Sequence, residues 1–270
     1  MTFVSASITA FFSSKISDSP ETTGSYGVGF TIDKGVRAEI SEKEGVYLNG
    51  ERVDFPTVSY VLEKLGGRGV ELFSDVPISS GFGVSGASAL ATAIEVSMGK
   101  NLGHSFLELA DLAHEAEVVN LTGLGDVVTQ SHGGIVVRIS PGCPSRAKVV
   151  RYLHRADVKF LVMGTLPTRD ILSDEIKRKN INRLGKSLLK DFLKKPLMDC
   201  VFELSKKFAV ESGLADEDVI DAIEAVESAG GKAGMVMLGK TVFAMDDSGV
   251  LEEFRGETFT ARIASCGLSV

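Results

Sequence analysis

Long apolar stretches are absent from this chain. No run of about eighteen apolar residues appears, so no segment reads as a membrane-spanning helix. The N-terminus shows no charged region followed by an apolar stretch and a cleavage site, as an exported leader would. The expectation is a cytoplasmic protein. Cysteine is scarce: Cys143, Cys200 and Cys266 are far apart, odd in number and without a Cys-x-x-Cys pair. That argues against a disulfide or zinc framework and for reduced, packed thiols. Basic charge is in deficit, with 29 Lys and Arg against 36 Asp and Glu and a net charge of −7. A general nucleic-acid binder needs a basic face and is disfavoured, while a local basic pocket for a phosphorylated ligand stays allowed. His104, His132 and His154 share no metal-ligand spacing, and no repeat or low-complexity tract is visible.

What is present is an ordinary globular composition, 44% hydrophobic and 24% charged over 270 residues. That is one large or two small domains with a substantial core. Alternation from Phe3 to Thr9 and a β-branched and aromatic segment from Val28 to Ile32 read as strands. Asp33-Lys34-Gly35 is expected to turn the second into Val36 to Ile40, and Asn49-Gly50 is a strong hairpin signal after Val46 to Leu48. Helices are expected over Thr57 to Leu65, Ala87 to Met98 and Ser105 to Val119, with a short one over Asp126 to Ser131 before a strand from Ile135 to Ile139. Pro141-Gly142-Cys143-Pro144 punctuates the chain and suggests lobes at 1–142 and 143–270. Beyond it come strands at Val149 to Leu153 and Lys159 to Met163, then a mainly helical stretch from Ile171 to Val226. Strands return at Met235 to Leu238, Val242 to Met245 and Phe259 to Ala264, the first two joined by Gly239-Lys240. This order fits an α+β class, with two lobes of antiparallel or mixed sheet and packed helices, better than alternating βαβ.

The most informative segment is Pro77-Ile78-Ser79-Ser80-Gly81-Phe82-Gly83-Val84-Ser85-Gly86-Ala87. It joins an alternating stretch to a run of helix formers. A glycine-rich turn opening into a helix aims free N–H groups and the positive end of the dipole at an anion, most often phosphate. No Gly-Lys-Ser/Thr closes it, so it is not a Walker A loop, and no acidic residue ends a second strand as a dinucleotide site requires. A tight strand-to-helix turn with no ligand is the ordinary alternative.

The pattern Pro-x-x-x-Gly-Φ-Gly-x-Ser resembles the phosphate loop of the GHMP kinases, with Pro77, Gly81, Gly83 and Ser85 matching, Phe82 in place of leucine and Val84-Ser85 in place of a serine pair. The resemblance implies a two-lobed GHMP fold with its active site in the cleft between lobes, ATP on the loop from Pro77 to Ala87, and Ser85 reaching the phosphates and Mg²⁺. His114-Glu115-Ala116-Glu117, then Thr122-Gly123-Leu124-Gly125-Asp126, then Gly133-Gly134 is similar to the family's next motifs. By that likeness Glu117 is the metal-binding carboxylate, with Glu115 as the alternative register, and Asp126 stands beside the substrate hydroxyl. The types suit phosphoryl transfer: Mg²⁺ wants hard oxygen ligands, and a carboxylate can orient and deprotonate an alcohol. Taken singly, Glu115 and Glu117 could be solvated helix charges and Asp126 a helix cap.

Ser7-Ile8-Thr9-Ala10-Phe11-Phe12, Gly24-Ser25-Tyr26-Gly27 and Thr122 to Asp126 resemble the archaeal pantoate kinase branch of that family, with Ser5 and Ser7 where the branch usually has proline and histidine. The likeness is specific from Ser5 to about Ile139 and weak through the helical middle. It implies phosphorylation of a primary alcohol on a small hydroxy acid, whose carboxylate calls for a guanidinium fork. Arg138 is the candidate, with His114 and Ser25 as further substrate contacts. An end-of-strand surface charge, a helix-face histidine and a turn residue are their ordinary readings. Shikimate, homoserine or mevalonate as acceptor, and a silent nucleotide-binding regulator, are alternatives the sequence leaves open, as is the oligomeric state, a homodimer included.

Overall fold

The computed structural model describes residues 1–165 and 175–270. Ile171, where the helical middle was expected to begin, lies outside them. The frame is a pair of long antiparallel strands, β1 (Thr2–Lys15) and β2 (Gly24–Ile40), buried over most of their length. β2 does not turn at Asp33-Lys34-Gly35. Ser5 pairs with Gly35 and Ser7 with Thr31, so the extra residues form a bulge in a continuous strand. Polar residues that look like a turn are accommodated because a bulge leaves them unpaired.

β1 and β2 organise an eight-stranded mixed sheet. Its one path runs from the C-terminal β12 (Leu268–Ser269) through β1 and β2 to β5 (Gly69–Ser74), β3 (Gly45–Leu48) and β4 (Glu51–Val53). β3 and β5 pair in parallel, and the hairpin between β3 and β4 turns on Asn49 and Gly50, both at positive φ. A branch adds β6 (Ile135–Ser140) on the other half of β2, then β7 (Lys148–Tyr152). The second sheet is antiparallel, in the order β11 (Glu257–Arg262), β8 (Asp157–Thr165), β10 (Gly239–Met245), β9 (Lys232–Val236). β7 and β12 both follow residue 142 in the chain yet belong to the first sheet. The turn between β9 and β10 is Met237-Leu238, with Leu238 left-handed at φ 65, and Gly239 and Lys240 open the next strand rather than forming the turn.

Four helices lie with the first sheet: α1 (Pro56–Leu65), α2 (Val84–Gly99), α3 (Phe106–Asn120) and α4 (Asp126–His132). α1 ends where Gly66 turns left-handed, and α3 starts with a capping box between Ser105 and Glu108. α2 is apolar nearly all round, as a helix sandwiched between β1, β2 and two neighbouring helices must be. Later come α5 (Glu175–Lys194), α6 (Met198–Glu211) and α7 (Glu217–Ser228). α6 packs on both β1 and β9, so the two sheets share one phenylalanine-rich core. Phe11 and Phe12 meet Phe208, and Phe30 and Phe202 meet Phe243.

The loop before α2 lies where the sheets approach. Phe82 on that loop is buried edge-on against Phe160 and tilted against Phe259 of the second sheet. The Thr241 hydroxyl donates to the Ser80 carbonyl at 2.9 Å. Phe82 thus anchors the glycine-rich loop through core packing. Phe82→Ala should destabilise the protein by about 3–5 kcal/mol, the usual cost of a deleted core ring, and Phe82→Leu should cost less. Urea denaturation of the three proteins measures both, and equal stability of all three would remove the anchoring role.

Candidate active site

Gly83 is the hinge of the loop. Its φ of 61° is left-handed, and a Cβ there would sit 2.4 Å from the Ser7 hydroxyl oxygen and 3.0 Å from the Asp126 carboxyl carbon. Any other residue would push β1 and α4 away. α2 begins at the next residue, and the N–H of Ala87 is the first to return to a helix carbonyl, that of Gly83. The N–H groups of Val84, Ser85 and Gly86 therefore have no intrahelical acceptor, an arrangement that together with the helix dipole is able to receive an anion. Pro77 and Gly81 shape the approach, and Gly81 is left-handed with φ 90°.

α3 delivers Glu117 to the same place. Its side chain is 1% exposed; Oε1 accepts from the Thr122 hydroxyl at 2.6 Å, and Oε2 has no hydrogen-bond partner among the described residues. The helix stops there because Leu121 turns left-handed. Gly123 follows, and its missing side chain matters: a Cβ would lie 2.2 Å from Glu117 Oε2 and 3.1 Å from Asp126 Oδ2. The Thr-Gly-Leu-Gly-Asp segment thus brings two carboxylates to one spot. Burial first, then the Asp126 charge, pushes Glu117 up to about 7, against the pull of the Thr122 and Ser85 hydroxyls. Glu115 points elsewhere, accepting from the Tyr60 hydroxyl at 2.7 Å on the half-exposed side facing α1. Two residues on a helix face apart, so only one of the pair reaches the cluster.

Asp126 is the first residue of α4 and makes no side-chain cap; Gly125 holds the cap position. Its Oδ1 accepts from Ser7 Oγ at 2.9 Å. Burial raises its pKa, while the Ser7 hydrogen bond and the Arg138 charge act the other way. Arg138, from β6, is no surface charge: it is 1% exposed and the largest fully buried side chain among the described residues. Its Nε donates to Ser25 Oγ at 3.2 Å and a terminal nitrogen to Thr129 Oγ1 at 2.7 Å. Burial lowers it to about 10, with the Asp126 charge opposing, so it stays protonated at neutral pH. Ser25, Asp126 and Arg138 line a small cavity of about 30 Å³ with Thr9, Phe12 and Leu238, beside the loop.

His114 is buried but outside this cluster. Its Nε2 lies 2.9 Å from the Thr23 carbonyl and 3.2 Å from that of Pro20, so it ties down the segment entering β2, two residues before Ser25. Burial lowers its pKa despite those carbonyls. A larger surface cavity of about 330 Å³, among Glu21, Glu108, Asp111 and Cys143, contains neither the glycine loop nor Arg138. Ser7, Thr122, Thr129 and Gln130 join the cluster without having been picked out from sequence for it. Thr129 and Gln130 stand three and four residues after Asp126 on one short helix, so helical spacing was the available signal.

The buried Glu117 has a consequence for stability. Its folded pKa of about 7 lies above that of a free carboxyl group, so between roughly pH 4.5 and 7 the folded state holds a proton that the unfolded state has lost. The contribution of this group is then fully present at the acid end and is lost as pH rises through 7. Glu117→Gln should flatten that part of the stability curve in metal-free protein. Urea midpoints from pH 5 to 8 would show it, and identical slopes for both proteins would refute the buried, protonatable state.

Residues 54–134 match the model of the GHMP kinases N terminal domain. A protein of Methanocaldococcus jannaschii named pantoate kinase is 33% identical over 258 residues, covering 93% of this chain and 94% of its own. A pantoate kinase of Thermococcus kodakarensis is 36% identical over 262 residues, covering 90% and 86%. A solved structure described as a phosphotransferase related to the CoA biosynthesis pathway superposes with a TM-score of 0.87 at 30% identity, covering 99% of this chain and 97% of that one. The chain belongs to the GHMP kinase family.

Proposed function

We propose that this protein transfers the terminal phosphoryl group of ATP to the primary hydroxyl of pantoate, giving 4-phosphopantoate on a route to coenzyme A. The kinase family supports an ATP-dependent enzyme acting on a small molecule, and two relatives carry the pantoate kinase name. One observation about this chain carries the choice of an acidic acceptor. Arg138 is fully buried at the cavity with hydroxyl partners, and among the described residues no carboxylate lies within ion-pair distance of it. The Asp126 charge favours the guanidinium from beyond ion-pair distance, and a bound carboxylate in direct contact adds the short-range pairing that the site itself does not supply. A guanidinium suits that ligand because its planar fork matches two carboxylate oxygens.

The alcohol, held beside Asp126 by Ser25 and Arg138, attacks the terminal phosphorus. The bond from phosphorus to the bridging oxygen breaks, ADP leaves, and the alcohol proton passes to the Asp126 carboxylate. A carboxylate whose pKa burial has raised is a better base than a free one. The free N–H groups at the start of α2 bind the phosphates, with the loop from Pro77 through Phe82 shaping the seat. His114 acts at one remove, through the Thr23 carbonyl.

The residues fit a magnesium ion. No group of three or more His, Cys, Asp or Glu forms a closed cage among the described residues, but Mg²⁺ needs only one or two carboxylates and otherwise binds water and phosphate oxygens. The unpartnered Glu117 Oε2 and the Ser85 hydroxyl would hold it. When bound, the ion neutralises charge on the phosphates during transfer. Among the described residues no helix is long and apolar enough to cross a membrane. We assign the enzyme to the cytoplasm, acting without nucleic acid or membrane.

Arg138→Ala should chiefly raise KM for pantoate, roughly ten- to a hundred-and-fifty-fold, as expected for losing hydrogen bonds to a charged group. KM for ATP should hardly change, and Arg138→Lys should recover only part of the loss. Because Arg138 also holds Ser25 and Thr129, melting temperatures accompany the kinetics. Equal weakening of ATP and pantoate would move Arg138 to the transfer site, and no effect would remove the reason for an acidic acceptor. Asp126→Asn should depress kcat with little loss of ATP affinity; an unchanged kcat would move the base elsewhere.

A further inference from the structure

Position 7 has no assigned part in the proposed reaction, yet its side chain is fully buried and touches the residue proposed as base. Gln130 Nε2 donates to the Gly83 carbonyl at 2.8 Å and lies 3.2 Å from Ser7 Oγ. The Gly83 carbonyl only accepts, which fixes the orientation of the Gln130 amide and makes it a donor toward Ser7 as well. Ser7 Oγ therefore accepts a hydrogen bond from Gln130 and donates its own to Asp126 Oδ1, 2.9 Å away. The backbone joins the arrangement, since the Ser7 N–H donates to the Phe82 carbonyl at 3.0 Å. Phe82 of the loop and the carboxylate of α4 are thus tied directly to one residue of β1, and Gly83 is tied to it through Gln130.

We infer that Ser7, oriented by Gln130, is a positioning residue that fixes the Asp126 carboxylate in register with the phosphate loop. The inference rests on the proposed role of Asp126 in the transfer. With Oδ1 held by Ser7, Asp126 cannot swing about its side-chain bonds, and Oδ2 keeps to the side of Gly123. Phosphoryl transfer depends on the acceptor oxygen and phosphorus meeting in line, and a displacement of about 1 Å can cost a hundredfold in rate. The Ser7 hydroxyl stands close against the loop because position 83 is glycine, where a Cβ would lie 2.4 Å from its oxygen.

The test is a double-mutant cycle on the full-length enzyme with ATP and pantoate. Ser7→Ala should lower kcat roughly ten- to hundredfold while both KM values stay within about twofold. In the Asp126→Asn background, Ser7→Ala should have almost no further effect, because the hydroxyl acts through the carboxylate. Gln130→Met, which removes the orienting donor but keeps the volume, should reproduce the kcat loss and also be non-additive with Ser7→Ala. It supplies the reading if Ser7→Ala folds poorly. An unchanged kcat for both single variants, or the same fold-loss for Ser7→Ala with and without Asp126, overturns the inference while leaving the kinase assignment standing. If Asp126→Asn itself leaves kcat unchanged, the role of Asp126 fails and this inference with it.

Discussion

Glu117 and Arg138 are almost wholly removed from water, with the half-buried Asp126 beside them, and the surrounding structure is arranged around that burial. Isolated charges there would be prohibitively costly. The fold answers with hydroxyls: Thr122 for Glu117, Ser7 for Asp126, Ser25 and Thr129 for Arg138. The Asp126 charge adds to the burden on Glu117, and the guanidinium relieves Asp126. What is left over, an unpartnered carboxylate oxygen and a cation without an ion pair among the described residues, is complementary to a metal–phosphate complex and to a carboxylate ligand. Function here is the part of the electrostatics that the protein does not satisfy by itself.

The position of the cluster follows from chain geometry. β1 supplies Ser7, α3 ends in time to present Glu117, and a short segment carrying Gly123 and Gly125 separates that end from Asp126. β6 runs beside β2 with Arg138 opposite Gly27, so the guanidinium reaches Ser25 without leaving the sheet. The glycine loop flanks the cluster, pinned to the second sheet by Phe82 and by the Thr241 hydroxyl. The loop is therefore coupled to both sheets, and its geometry depends on how they pack.

Much of this was legible in the residues. The glycine loop and its helix, the Asn49-Gly50 hairpin and the α+β class follow from turn chemistry and periodicity, which are local. The position of Glu117 rather than Glu115 at the cluster was not decidable locally, because both sit on the same helix and only tertiary packing selects the face. Asp33-Lys34-Gly35 looked like a turn and is a bulge, since pairing with a fourteen-residue partner strand overrides local polarity. The Met237-Leu238 turn was missed because leucine rarely takes the left-handed conformation it has there. Ser7 and Gln130 are far apart in sequence and meet only through the strand-to-helix approach that Gly83 permits.

The central claim is that this arrangement phosphorylates pantoate. The most direct measurement is ADP release by the purified protein with Mg²⁺–ATP and, in parallel, pantoate, homoserine, shikimate and mevalonate, with the phosphorylated product identified by phosphorus NMR. The account predicts ADP formed in step with a phosphate ester on the primary hydroxyl of pantoate and little turnover of the other three. ATP binding with no acceptor-dependent ADP, or a clear preference for another of these alcohols, would contradict it.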